Sequence, residues 1–181
     1  MWDVRPRTIV EVGSKAGGSA LFFADLLRCA GIDGRVLSLD VLPVIDVHDE
    51  LVDFRFGDGR DLAPALGRRW RDSVRRPLLV IEDADHAAPT TRAVLRFFDD
   101  LLEPGDWIVV EGCQVSDTAT ALHPDGFSGP ARGLRDFLLA TSNRYRVGVE
   151  YCDFYGYNWT SACNGFLERV AQRPPSRTMG I

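Results

Sequence analysis

The segment Val10-Glu11-Val12-Gly13-Ser14-Lys15-Ala16-Gly17-Gly18-Ser19 constrains the fold more than any other part of the chain. An apolar, β-branched run leads into it. A helical pattern carrying Leu21, Phe22, Ala24, Leu27 and Ala30 on its expected inner side leads out. Glycine permits sharp turns and close backbone approach to a ligand. A strand, a glycine turn and a helix in that order open a parallel α/β sheet, whose ligands lie at the carboxyl ends of its strands. The turn also restricts the ligand. A dinucleotide fingerprint needs glycine where Lys15 stands, and a P-loop needs a Lys-Ser or Lys-Thr pair after its last glycine, where Ser19-Ala20 follow. S-adenosylmethionine (SAM) carries no phosphate and tolerates a side chain at Lys15.

The remainder of the chain continues the alternation. Strands are expected at 8–12, 35–39, 53–56, 78–81 and 107–110, helices at 19–30, 62–71, 90–102 and 133–141, and two final strands at 145–150 and 165–170. Such alternation implies a mostly parallel sheet with helices on its faces. The fourth strand is apolar on both faces, as a central parallel strand should be. With 181 residues the expectation is one domain over 1–172, followed by a frayed tail at 173–181. The loop at 111–128 is long for a compact domain, and long loops beside a sheet edge are often functional.

Two acids support a nucleoside ligand. Asp40 closes the second strand, where a carboxylate can accept both ribose hydroxyls. Gly57-Asp58-Gly59 follows the third strand and offers a carboxylate to the adenine amino group. A second acidic group sits further along the same rim. The fourth strand runs out into Glu82-Asp83-Ala84-Asp85-His86 and the fifth into Glu111-Gly112. Crowded carboxylates repel one another unless a cation or proton intervenes. Mg²⁺, held by one or two carboxylates and otherwise by water and substrate, suits such a rim. His86, three residues beyond Asp83, is a candidate general base for a substrate hydroxyl.

Composition excludes several classes. The formal net charge of −5 carries no basic footprint for nucleic acid. No apolar run approaches the ~18 residues of a membrane span, and the first residues lack a secretory h-region. The cysteines Cys29, Cys113, Cys152 and Cys163 show no C-x-x-C spacing and read as thiols of a cytoplasmic protein.

At these motifs the sequence resembles the cephalosporin hydroxylase-like (CmcI-like) family of SAM-dependent O-methyltransferases, relatives of macrolide and rhamnosyl sugar O-methyltransferases. The matching stretches are IVEVGSKAGGSALFFADLL, VIEDADH, PGDWIVVEG, GPARGLRDFL and TSACNGFLERV, which together span nearly the whole chain. The resemblance implies a class I, Rossmann-like sheet, mostly parallel with an antiparallel C-terminal strand and helices on both faces. It implies SAM bound through Glu11, Gly13, Ser14, Lys15, Gly17, Gly18, Ser19, Asp40, Asp58 and Asp83. It further implies Mg²⁺ on Asp83 and Glu111, with Asp85 as a third ligand or a proton acceptor, and His86 as the principal base. The reaction would be methyl transfer to a hydroxyl of a sugar or other small natural product, as in antibiotic biosynthesis, by a chain able to form a homo-oligomer. Two departures stand out. Gly112 occupies the place where relatives carry a second acid, and the first strand begins within ten residues of Met1, where relatives carry a longer preceding segment. These leave open a second reading, a non-catalytic SAM-binding or partner protein with a degenerate metal site. A hydroxylase reading ranks last, because His48, His86 and His123 show no facial-triad spacing.

Overall fold

The computed structural model describes residues 1–44, 46–67, 69–114, 128–141 and 143–171. Most of the 111–128 loop, with His123, and the tail beyond 171 therefore lie outside the described residues, as does Arg68. The strands are β1 (Thr8–Val12), β2 (Arg35–Asp40), β3 (Val52–Phe56), β4 (Leu78–Glu82), β5 (Trp107–Val110), β6 (Tyr145–Val147) and β7 (Phe166–Arg169). The helices are α1 (Gly18–Cys29), α2 (Ala63–Leu66), α3 (Trp70–Ser73), α4 (Ala88–Asp99), α5 (Pro130–Ala140) and α6 (Val149–Cys152). All seven strands form one sheet in the order β3-β2-β1-β4-β5-β7-β6. The first five pair in parallel, and β7 runs antiparallel to both β5 and β6. This is the expected sheet, with its antiparallel strand near the C-terminus.

The two faces follow from side-chain alternation along buried strands. Val10, Val12, Val80, Ile108 and Val110 point to the face covered by Val94, Leu95 and Phe98 of α4 and by Leu134 and Phe137 of α5. Ile9, Val36, Ile81 and Val109 point to the opposite face, where α1 contributes Ala20, Ala24 and Leu27. That i, i+4, i+7 stripe leaves Phe22 on the outer side of α1, exposed rather than buried as its apolar character suggests.

Two other elements differ from the sequence reading. The helix expected at 62–71 is two short turns, α2 and α3, separated at Gly67, whose φ of +73° is left-handed and ends α2. The strand expected at 145–150 stops at Val147. Gly148 follows, and α6 turns Tyr151 onto Trp107 with ring centroids 5.5 Å apart. Burying that aromatic pair outweighs continuing an edge strand. Among the described residues no helix is long and apolar enough to cross a membrane.

Candidate active site

The order reversal between β1 and β4 puts the carboxyl ends of β1, β2, β4 and β5 on one rim, and the expected site residues gather there in two groups. The first is a cleft of about 200 Å³ whose lining includes Gly13, Asp40, Asp58, Gly59, Arg60 and Asp85. Gly13 has φ +112°, and a Cβ there would lie 2.0 Å from the carbonyl oxygen of Asp83. Only glycine lets the turn after β1 pass the end of β4 this closely. Gly17, at φ +82°, serves as the N-cap of α1. Lys15 also takes a left-handed φ, +47°, and its backbone N–H donates to Asp40 Oδ2 at 2.7 Å. The other oxygen of Asp40 accepts the N–H of Leu42 at 2.9 Å. Each carboxylate oxygen keeps a further lone pair for a hydroxyl.

Asp58 sits across the cleft, held by a partner the sequence reading missed. Arg60 donates its backbone N–H to Oδ1 at 2.9 Å and its guanidinium to both oxygens, the shortest contact being 2.7 Å. This pairing holds the carboxyl below the usual carboxylate range. The i, i+2 spacing in Gly57-Asp58-Gly59-Arg60 was the available signal.

Glu11 and Ser14 lie beneath the turn, not in the cleft. Ser38 donates to Glu11 and shares a hydrogen bond with Ser14, and all three side chains are buried. Burial pushes the Glu11 carboxyl up, against the opposing hydrogen bonds of Ser19 and Ser38. Gly18 and Ser19 are exposed at the start of α1.

The second group is the acid rim. Asp83 is half-buried. Burial and, less strongly, the nearby charge of Glu111 raise its carboxyl, while His86 and Lys15 lower it. His86 Nε2 stands 3.6 Å from Asp83 Oδ1. The Glu111 carboxylate accepts the hydroxyl of Ser161, a contact with no sequence signature that ties the segment before β7 to the end of β5. Asp85 turns elsewhere. Its Oδ1 accepts the N–H of Ala87 at 3.0 Å and its Oδ2 the hydroxyl of Thr90 at 2.9 Å, which ties the turn after β4 to the start of α4. Among the described residues no three histidine, cysteine, aspartate or glutamate side chains converge as a metal site. The repelling pair Asp83 and Glu111 fits a Mg²⁺ ion that completes its shell with water and substrate. Both oxygens of Asp85 are already engaged by Ala87 and Thr90.

Glu82, one residue earlier, is fully buried on the α4 face. Thr91 donates to its Oε2 at 3.0 Å, and its Oε1 has no hydrogen-bond partner. Burial raises this carboxyl to about 7. The sequence places it in the acidic run but gives no sign that it points into the core.

A family model described as rhamnosyl O-methyltransferase/CmcI matches residues 1–170. The chain belongs to that family. A rhamnosyl O-methyltransferase of Mycobacterium leprae is 29% identical over 171 residues, covering 92% of this chain and 73% of that protein. Its counterpart in Mycobacterium tuberculosis (strain ATCC 25618 / H37Rv) is 29% identical over 180 residues, covering 92% and 69%. Among solved structures, an apo structure of CmcI is similar with a TM-score of 0.70 and 29% identity, covering 94% of this chain and 67% of that one. A CmcI structure with Mg and SAM has a TM-score of 0.69 and 27% identity over the same shares, 94% and 67%. The MycE methyltransferase in complex with Mg and S-adenosylhomocysteine, at 19% identity and a TM-score of 0.60 over 99% of this chain and 48% of that one, shares the fold. The protein is thus a SAM-dependent O-methyltransferase of the rhamnosyl O-methyltransferase/CmcI family.

Proposed function

We propose that this family member transfers the methyl group of SAM to a hydroxyl of a sugar, or of a similar small natural product, with a divalent cation at Asp83 and Glu111. The observation that carries the reading is the contact between cleft and rim. Gly13, in the cleft, lies against the backbone of Asp83, so the cleft over the glycine turn adjoins the strand end that carries the acids and His86. SAM supplies the electrophilic methyl group, and Mg²⁺ supplies charge that lowers the pKa of a hydroxyl and orients it.

The chain's own residues do the rest. The turn containing Gly13 and Gly17 offers close backbone approach, and Asp40 offers oxygens to the ribose. Asp58, fixed by Arg60, offers an acceptor to the adenine amino group. Asp83 and Glu111 hold the cation, and His86 receives the hydroxyl proton as the oxygen–methyl bond forms and the sulfur–methyl bond breaks. Holding the two reactants in contact contributes much of the acceleration. Asp85 serves the fold of the rim through α4 rather than the proton or the metal.

The acceptor reading is supported by the segment before β7. Tyr151 packs inward, but Phe154, Tyr155, Tyr157 and Trp159 are 73–92% exposed, and Ser161 of the same segment bonds Glu111. Aromatic rings beside polar groups suit the mixed apolar and hydroxyl faces of a sugar. Methyl transfer from labelled SAM to a panel of sugars, with Mg²⁺ or with EDTA, tests the proposal. Transfer to a sugar hydroxyl that EDTA suppresses is the expected result. SAM binding without transfer to any sugar would turn the reading toward a non-catalytic SAM-binding protein.

A further inference from the structure

The imidazole of His86 is held in an unusual way. Its Nδ1 is buried and has no hydrogen-bond partner. Histidines that act on substrates or metals usually have one ring nitrogen fixed by a carbonyl or carboxylate while the other works. Here the face of the ring, at Nδ1, rests on Gly112. A Cβ built at Gly112 would lie 2.7 Å from Nδ1, 2.8 Å from Cε1 and 2.9 Å from Cγ. Gly112 itself has φ +71°, and His86 has φ +54°, uncommon for a residue with a side chain. Nε2, on the other side of Cε1, is the nitrogen that stands 3.6 Å from Asp83 Oδ1.

We infer that Gly112 is a positioning residue for His86. It is the shelf that sets the imidazole, in place of the missing Nδ1 hydrogen bond, and so directs Nε2 to the rim beside Asp83. The inference rests on the proposed role of His86 as proton acceptor. It also gives Gly112 a reason unrelated to metal binding. The space where a side chain at 112 would begin is already filled by the ring, so Gly112→Asp adds no ligand and displaces the base.

The test compares wild type, Gly112→Ala, His86→Ala and the double variant, using SAM with methyl rhamnoside as acceptor and thermal melts of each protein. Gly112→Ala should lower turnover about 10- to 100-fold, the scale of a misplaced reacting group, with KM for SAM within about twofold. On the His86→Ala background the same change should cost no further turnover. It should also lower the melting temperature less than it does in wild type, because the ring it strikes is gone. Gly112→Ala turning over within about threefold of wild type, or costing as much in rate or melting on the His86→Ala background, overturns the inference. Should Gly112→Ala fail to fold alone, a folded double variant supports it, and an unfolded one shows that φ +71° alone demands glycine. The melts need no acceptor, so a protein inactive on every sugar still decides this point separately from the function proposed above.

Discussion

The Asp40 carboxylate accepts the backbone N–H of Lys15 at 2.7 Å, fastening the end of β2 to the glycine turn that follows β1. The turn is therefore tied before any ligand arrives, and the same carboxylate faces the cleft with lone pairs to spare. Asp40→Ala removes both functions. SAM affinity should fall by roughly 10- to 100-fold, corresponding to about 1–3 kcal/mol for polar groups left unpaired. Asp40→Asn keeps one carbonyl oxygen and should lose less. Calorimetry with SAM measures both, and an unchanged affinity in Asp40→Ala would remove Asp40 from the cofactor site.

Glu82 gives the protein a pH-dependent stability of predictable sign. Its carboxyl is raised from 4.5 to about 7, first by burial, while Thr91 and the N–H of Ala84 pull the other way. Between those values the folded state holds a proton that the unfolded state has released. Stability associated with this group is complete below pH 4.5 and is lost as pH rises through about 7. At about 1.4 kcal/mol per unit the full effect is on the order of 3 kcal/mol. Glu82→Gln keeps an acceptor for Thr91 and cannot ionise. Its melting temperature should match wild type near pH 4.5 and exceed it by about 5–10 °C above pH 7. Melts across that range showing a constant offset would mean that Glu82 does not titrate there.

Asp85 should behave as a structural residue. One of its oxygens accepts the N–H of Ala87, just before α4, and the other the hydroxyl of Thr90 in the first turn. Asp85→Ala should destabilise the fold by about 1–2 kcal/mol, the usual net cost of two lost hydrogen bonds. Methyl transfer per folded molecule should change less than tenfold, and the Mg²⁺ concentration giving half-maximal rate should stay within a factor of two. A large rise in that concentration would return Asp85 to the metal site.

Much of this architecture is legible in the sequence, for a physical reason. Strands buried on both faces must be apolar throughout, so 8–12, 78–81 and 107–110 announce themselves. The glycine turn is equally plain, because close passage beside β4 admits no side chain at Gly13. Legibility fails where direction rather than identity matters. Glu82, Asp83 and Asp85 are chemically alike and nearly adjacent, yet one enters the core, one faces the rim and one ties the turn after β4 to α4. Strand alternation and the start of α4 decide this, and periodicity does not resolve the turn between them. Phe22 misleads similarly, since an apolar residue on the outer side of a helix looks like core until the stripe of Ala20, Ala24 and Leu27 is fixed. Ser161 leaves no sign because its contact is distant in sequence, and the i, i+2 spacing of Asp58 and Arg60 is a weak sign because it resembles any charged turn.

The segment before β7 should determine which acceptor is used. It is ordered by its own hydrogen bonds. The N–H of Asn158 donates to Asp153 at 2.7 Å, the N–H of Asn164 to the Asn158 side chain at 3.1 Å, and the N–H of Trp159 to the carbonyl of Gly156 at 3.0 Å. The backbone that carries the exposed rings does not need to be ordered at the moment of binding, which reduces the entropic cost of recognition. Tyr157→Ala and Trp159→Ala should therefore raise KM for a sugar acceptor by about 5- to 50-fold, as loss of one stacked ring or its buried area implies. SAM affinity should be unchanged, because neither residue lines the cleft over the glycine turn proposed for SAM. Melting temperatures should shift little, since both rings are exposed. Initial-rate kinetics with the acceptor varied at saturating SAM separate this from a packing role. If both variants keep the wild-type acceptor KM but the protein changes its state of association by sedimentation, the rings serve contact between copies of the chain, and acceptor recognition must lie elsewhere on the rim.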